Sequence, residues 1–451
     1  MCPSGPVART AVTSLTGWGR HPVVPAEVRL SEYLEEASRG AVLSRGLGRS
    51  YGDAALPPAP GGRVLVTRLA DRILDFCPQT ARLRAEAGVS LERLCDVLWR
   101  QGWSPPVLPG TRFVTLGGMV ASDVHGKNHH AAGCFGAHVE ALRIRTASGD
   151  VLEISETSES ELFRATLGGM GLTGHVLEVA LRLERTASPW IWSESWRVGD
   201  LGEMIDALAH AGREWPYTVC WMDASATGGA LGRGVLTAGR WAKPHEVGSP
   251  PRESRLTATV PFACPRACVS RPVVRAFDAA YWLAHGAKRR SGVVHPSPFF
   301  HPLDALREWN LLYGRSGFTQ YQCVIPFEAA RETVAELLGA LRAEGAWCPL
   351  AVVKDCGPQG RGMLSFPRPG ISVALDLPLR WPATERAVRR MNRITAQAGG
   401  RIYLAKDALT TAQEYRAMDE RVDSFLAVRR KWDPAAKIRS ALSVRLFGDA
   451  A

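Results

Sequence analysis

Residues 114–138, VTLGGMVASDVHGKNHHAAGCFGAH, hold a Gly pair, an Asp, four His and a Lys within 25 positions, spaced mostly by small residues. A core element needs large apolar side chains at a fixed period, and this stretch has few. Glycines let backbone approach a ligand, and the side chains beside them titrate or donate. Two readings stand for the stretch alone: one wall of a ligand site, or a Gly-rich surface loop with incidental histidines.

Two more Gly-rich segments flank it. In AVLSRGLGRSYGD (41–53) an apolar strand runs into Gly46-x-Gly48-x-x-x-Gly52, which departs from the dinucleotide fingerprint G-x-G-x-x-G. The following AALPPAPGGR cannot be helical, so no helix N-terminus is available for a pyrophosphate. Successive backbone N–H groups with Arg45 and Arg49 can still cradle a diphosphate as a nest. The third segment is LGGMGLTGH (167–175). Around them the patterns predict strands at 81–88, 139–147, 150–155 and 176–185. A helix is expected near 90–101, capped by Ser90 with Leu91, Leu94, Val97 and Leu98 as its apolar stripe, and a short one at 158–166. Residues 1–185 thus read as an α+β unit.

From Trp190 the character changes. A hairpin is expected over 217–241, and the Pro/Ser/Arg-rich segment 245–262 is a candidate lid. From 317 the order strand, helix, strand, strand, helix describes an antiparallel sheet covered by helices on one face. Alternation assigns Tyr321, Cys323, Ile325, Ala351, Val353, Ile371, Val373, Leu375 and Leu377 to the covered face. Gln320, Gln322, Lys354, Ser372, Ala374 and Asp376 fall on the other, either a solvated surface or a polar pocket wall. A strand carrying Tyr403 and Lys406, then a helix from about 411, closes the chain and is expected to fold back on the N-terminal unit.

With 451 residues, the chain suits two domains of roughly 200 residues each. No run approaches the roughly 18 apolar residues of a membrane span, and MCPSGPVARTAVTSLTGWGR lacks a secretory signal pattern. The expected location is the cytoplasm or the periphery of a membrane, with the envelope side open. The net charge of +11 is spread along the chain without interleaved aromatics, so no nucleic-acid partner is expected. The ten cysteines form no ligand framework, so no structural metal is expected.

LTGWGR (15–20), RGLGRSYGD (45–53), VLPGTRFVTLGG (107–118), HGKNHHAAGCFG (125–136), GGMGLTG (168–174), FHPLD (300–304), QYQCVIP (320–326), LSFPRPG (364–370) and AKDALTTA (405–412) occur in this order. Together they resemble the flavoprotein oxidases of the vanillyl-alcohol-oxidase type with a PCMH-type FAD-binding fold, and within them the branch that oxidises decaprenylphosphoryl-ribose. The resemblance implies an α+β, two-domain chain: an FAD-binding domain over 1–185, completed by 399–451, and an antiparallel-sheet substrate or cap domain over 186–398. It implies bound FAD, non-covalent because Tyr51 stands where many relatives carry the flavin-linking His. Arg45, Gly46, Leu47, Gly48, Arg49, Ser50, Tyr51 and Gly52 would hold its diphosphate. Gly110, Thr115, Leu116, Gly117, Gly118, Ser122, Asp123, Val124, His125, Val176 and Tyr403 would line the rest. Lys406 and His125 carry over as catalytic groups in unassigned order, with Lys127, Gln320, Gln322, Lys354 and Ser372 around the substrate. Lys127, Lys354 and Lys406 are three of only seven lysines.

The implied activity is oxidation of a secondary sugar hydroxyl, the ribose 2′-OH of a polyprenylphosphoryl-ribose, to a ketone that a separate short-chain reductase would take up. This is the first half of a 2′-epimerisation in cell-wall arabinan synthesis, with the enzyme peripheral to the membrane. The chain departs from the family at Ser372 (Asn in relatives), Ala374 (Cys) and the polar Asp355 and Cys356 after Lys354. These departures keep open the same chemistry on a soluble nucleoside or glycoside. A non-catalytic lipid-phosphate or nucleic-acid binder is the reading from another class.

Overall fold

A computed structural model describes residues 9–248, 257–286 and 288–451. Residues 249–256 of the candidate lid lie outside the described residues. Two sheets form the first part of the chain. In a four-stranded sheet, Arg9–Thr16 pairs antiparallel with Val23–Leu30, and Gly62–Val66 and Leu43–Arg45 continue it in parallel. A five-stranded antiparallel sheet runs Ile73–Cys77, Arg82–Glu86, His175–Arg182, Val139–Arg145, Val151–Ser155.

The expected helix spans Leu91–Leu98, with the Ser90 hydroxyl accepting from the Arg93 N–H at 3.2 Å. Its buried arc is Leu91, Leu94, Cys95 and Leu98, and Val97 is exposed. At 100° per residue Cys95, one turn after Leu91, shares the inward face, whereas Val97 points away; the stripe is corrected accordingly.

The second part is built on an eight-stranded antiparallel sheet. Its order is Arg290–Val294, Ile191–Val198, Gly234–Trp241, Tyr217–Met222, Ala351–Cys356, Gly370–Pro378, Phe318–Ile325, Arg401–Ile402. The expected hairpin is the antiparallel pair Tyr217–Met222 and Gly234–Trp241. Tyr321, Cys323, Ile325, Ala351, Val353, Ile371, Val373, Leu375 and Leu377 are all buried in one core with the helices Leu201–Glu214, Ala330–Ala343 and Ala383–Gln397. The opposite face is not solvated. Gln320, Gln322, Ser372 and Asp376 are buried, because the N-terminal Gly-rich loops lie over that face.

The last strand stops at Ile402, so Tyr403 and Lys406 sit on the turn after it rather than in it, with the Lys406 N–H donating to the Tyr403 carbonyl at 3.0 Å. Thr411 then caps the helix Ala412–Met418. The chain folds back as expected: the Arg445 guanidinium grips Asp53 and Asp407, both at 2.7 Å. Asp53 directly follows the first Gly-rich loop and Asp407 directly follows Lys406, so this clamp joins both ends of the site.

Candidate functional site

The loop after Leu43–Arg45 is shaped by its own arginine. Arg45 does not face the cavity; its guanidinium donates to the carbonyls of Ala55 (3.0 Å) and Thr16 (2.7 Å), and the loop curls over it. Gly48 makes that curl at φ +67, where a Cβ would lie 2.2 Å from Arg45 Nη2. Gly46 abuts the second Gly-rich loop, where a Cβ would lie 2.3 Å from Thr115 Oγ1. Among the described residues nothing accepts a hydrogen bond from the N–H groups of Gly46, Leu47, Gly48, Arg49 or Ser50, and all five residues line the cavity. A run of backbone N–H groups turned to one cavity is the nest a diphosphate needs. Arg49 adds a half-buried cation stacked on the Trp18 ring at 3.8 Å, and desolvation lowers its pKa. Trp18 itself is fixed by an N–H bond to the Ser50 carbonyl at 2.8 Å.

Gly110, Thr115, Gly117, Gly118, Ser122, Val124 and His125 form the next wall, joined by Val176 and Tyr403. Gly117 packs against Ala87, where a Cβ would have only 3.0 Å. The FHPLD motif pins this wall from behind: Asp304 accepts from the Arg112 N–H at 2.8 Å, and His301 Nδ1 bonds the Pro109 carbonyl at 2.9 Å. Leu116 and Asp123 belong behind the surface. Leu116 is fully buried in the core, and the Asp123 carboxylate accepts from the Gly136 N–H at 2.7 Å and from the Ser365 hydroxyl. Gly52 also stands behind, where a Cβ would overlap the Asp407 carbonyl at 1.9 Å.

Opposite lies the polar face of the large sheet, with Gln320, Gln322, Lys354 and Ala374 reaching the same cavity. Gln322 Nε2 lies 3.0 Å from His125 Nε2 and 3.2 Å from Ser372 Oγ, so Ser372 supports Gln322 from behind. Since the amide donates to Nε2, the imidazole proton resides on Nδ1, which has no partner among the described residues. Burial, and the charges of Lys354, His129 and Lys406, hold the His125 pKa well below its usual value, so the ring is neutral.

Lys406 lies with Nζ 3.6 Å above the centre of the Tyr51 ring. Neither it nor Lys354 hydrogen-bonds to a described residue, and both line the cavity. Burial pushes the Lys406 pKa down; Asp376 opposes this and Lys354 adds to it. Lys354 is likewise lowered by burial. Lys127 is not brought to the cavity. Its ammonium donates to the Phe299 carbonyl and sits 4.6 Å over that ring, because the loop after His125 turns away toward the five-residue helix Pro296–Phe300.

The resemblance carried no role over to Asp376, a fully buried carboxylate held by Gln320 Nε2 at 2.5 Å and Tyr313 Oη at 2.8 Å. Its place on the polar strand face was the available signal. Asp355, the apparent departure beside Lys354, points to the other side of the sheet, bonded to Thr218 Oγ1 at 2.5 Å and His130 Nδ1 at 3.2 Å. It therefore leaves the cavity's polarity unchanged.

Residues 27–155 match the family described as FAD binding domain. The chain is 35% identical over 457 residues to the decaprenylphosphoryl-beta-D-ribose oxidase of Mycolicibacterium smegmatis, covering 97% of this chain and 98% of that one. It is 31% identical over 372 residues to an uncharacterized protein in the mprA 5′ region of Streptomyces coelicolor, covering 79% and 100%. A shorter match, 33% over 114 residues and 25% of each chain, relates it to the L-gulonolactone oxidase of Bos taurus.

Proposed function

The chain belongs to the family of decaprenylphosphoryl-β-D-ribose oxidase, and from that membership we propose that it oxidises the ribose 2′-hydroxyl of a polyprenylphosphoryl-ribose to the ketone. It is an FAD-binding oxidoreductase acting on CH–OH donors. FAD, when bound, takes the hydride from the sugar carbon. The nest at 46–50 would hold its diphosphate, and the wall from Gly110 to His125 with Val176 and Tyr403 would position the rest.

The observation that carries the chemistry is Lys406: a buried amine facing the cavity with no hydrogen-bond partner among the described residues. With its pKa lowered by burial, the neutral form accepts the hydroxyl proton at Nζ as the carbon loses hydride, and as ammonium it stabilises developing alkoxide charge. His125 is less suited to that step. Protonating it would bury another cation beside Lys354 and Lys406, and its Nε2 already accepts from Gln322. We assign it to holding Gln322 in place for the substrate, by accepting the Gln322 amide at Nε2. Lys354 meets the phosphate or the sugar oxygens; Gln322, whose two amide hydrogens go to His125 and Ser372, offers its Oε1 as an acceptor, and Gln320 lines the same wall. Leu303, Trp309, Leu350 and Val352 line the same cavity and suit isoprenoid carbon, which favours the lipid-linked substrate over a nucleoside.

In this reading 1–185 with 399–451 is the FAD-binding domain and 186–398 the cap, with Arg401–Ile402 crossing over as the edge strand of the cap sheet. The flavin is non-covalent, since Tyr51 is buried under Lys406 and the 45–53 loop carries neither His nor Cys. A separate short-chain reductase consumes the ketone. The enzyme works at the membrane periphery; among the described residues no helix is long and apolar enough to cross a membrane.

The test is anaerobic mixing of FAD-loaded enzyme with farnesylphosphoryl-ribose and, separately, with free nucleosides, following loss of flavin absorbance. Bleaching by the phosphoryl-ribose alone is expected. Bleaching only by nucleosides would overturn the substrate assignment.

A further inference from the structure

The helix Arg271–Ala284 has two apolar faces, and the protein covers one. Val274 is buried, Tyr281 packs on Trp221 with ring centroids 4.6 Å apart, and Trp282 lies under the Arg197 guanidinium at 3.9 Å. Asp278, the helix's acidic residue, is buried on this same side. About 100° per residue places Val273, Phe277, Ala280 and Ala284 in a line on the outer side, with Leu283 at its edge. That line is open: Val273 is 48% exposed, Phe277 58% and Leu283 64%, and Phe262, just before the helix, is 65% exposed. An apolar stripe of this length is the kind of surface soluble proteins ordinarily cover.

Charge decides what covers it. Residues 262–290 contain six Arg or Lys and one acidic residue, the buried Asp278. Arg275 and Lys288 are exposed and form no ion pair with a described residue. An exposed apolar stripe flanked by cations without exposed acids is complementary to an anionic lipid surface, where aromatic and aliphatic side chains enter the acyl boundary and arginines meet head-group phosphates.

This surface is mechanically tied to the cavity. Ala258–Thr259 pairs in parallel with Leu306–Arg307, and the Cys264 N–H donates to the Leu311 carbonyl at 2.9 Å. The cavity-lining residues Leu303 and Trp309 lie on the same stretch of chain. We infer that the outer face of the helix Arg271–Ala284, with Phe262, docks the enzyme on an anionic phospholipid bilayer and so presents the cavity wall to a lipid-linked substrate. The second clause rests on the function proposed above, and the docking surface does not.

The test is co-sedimentation of the FAD-loaded full-length protein with vesicles of phosphatidylcholine alone and of phosphatidylcholine with phosphatidylglycerol. The wild type should partition onto the anionic vesicles, less so at high salt. Phe277→Asp with Leu283→Asp should lower partitioning at least tenfold, and Arg275→Glu should lower it severalfold, while both variants keep FAD and bleach normally with soluble farnesylphosphoryl-ribose. Wild type that stays in the supernatant, or variants that sediment like it, would overturn the docking surface. So would a wild-type dimer that the double variant converts to monomer without any vesicle binding, since the face would then join two copies of the chain. Vesicle binding without bleaching by the phosphoryl-ribose would leave the docking surface standing and remove the substrate assignment.

Discussion

Gln320 and Asp376 face each other across two antiparallel strands, and Gln320 Nε2 donates to Asp376 Oδ1 at 2.5 Å. Tyr313 Oη holds the other carboxylate oxygen at 2.8 Å, so the whole group is partnered and shut off from solvent. Burial raises the Asp376 pKa, against the bonds from Gln320 and Tyr313 and the charge of Lys406. In turn its charge favours the protonated form of Lys406, whose pKa burial has lowered. Each group thus sets the other's protonation. In the proposed function Asp376 would therefore act through Lys406, as a positioning residue.

Asp376→Asn should therefore lower the Lys406 pKa further. If neutral Lys406 takes the hydroxyl proton, flavin reduction rises with pH as Lys406 deprotonates, and this limb should move toward lower pH by about one unit. Stopped-flow flavin reduction across pH reads the shift. A limb that stays in place would uncouple Asp376 from Lys406 whatever the change in rate.

Lys406→Met removes the amine and keeps a chain of similar length. Hydride transfer should slow by roughly 100- to 10,000-fold, the usual span for a general base, with the FAD spectrum unchanged. His125→Gln should cost less, because it keeps a hydrogen-bonding group beside Gln322. Comparable losses from the two substitutions would return His125 to the list of bases.

Gly46→Ala sets a methyl group 2.3 Å from Thr115 Oγ1 and so wedges the first two Gly-rich loops apart. The cores below are untouched, so the apoprotein should fold. FAD affinity, titrated by flavin fluorescence, should weaken by at least tenfold, about 1.4 kcal/mol. Unchanged affinity would show that the contact between these loops does not shape the cofactor site.

Arg445→Ala leaves Asp53 and Asp407 buried without their shared cation. Losing one partner of a buried ion pair costs roughly 3–5 kcal/mol, so a large drop in thermal midpoint is expected. The Asp407 pKa is lowered; burial acts against this, but Arg445 and bonds from Thr410 outweigh it. Its contribution to stability is present above the unfolded-state carboxylate pKa and is lost as pH falls through the lower folded value. The variant's stability should accordingly vary less with pH on the acid side than the wild type's, as thermal melts across pH would show.

Lys127 titrates in the opposite range. Burial, with help from Lys354, lowers its pKa to about 7 from 10.5. Between these values the unfolded chain binds the proton and the folded chain does not, so stability from this group is full above 10.5 and falls as pH drops toward 7. Lys127→Met should flatten the rise of thermal midpoint between neutral and alkaline pH. An unaltered slope would place the Lys127 ammonium in a better solvated setting than its contact with Phe299 implies.

The legible parts of the chain were those governed by a local rule. Ser90 capped its helix because a hydroxyl before an apolar stripe meets free N–H groups, and the strand faces at 318–325, 351–356 and 370–378 followed period-2 alternation. The same parity put Asp376 beside Gln320 but gave no hint of Tyr313, 63 residues away in sequence. The resemblance carried Lys127 over to the substrate side, but a loop has no period to fix where a side chain points, and the chain turns it onto Phe299. Asp355 misled the other way, since its polarity next to Lys354 mattered less than its opposite face.

The amino-acid order alone determined the three Gly-rich loops, the two faces of the strands after 317 and the supply of basic groups, because these depend on residue type, spacing and alternation. Tertiary structure decided which of those groups share a cavity. Arg45, Asp123 and Lys127 turned inward to hold the frame, whereas Arg49, Lys354 and Lys406 were left facing a common space beside a carboxylate from a distant strand. Protonation followed the same division: composition counts the lysines, but burial and neighbours across hundreds of residues decide which of them is neutral.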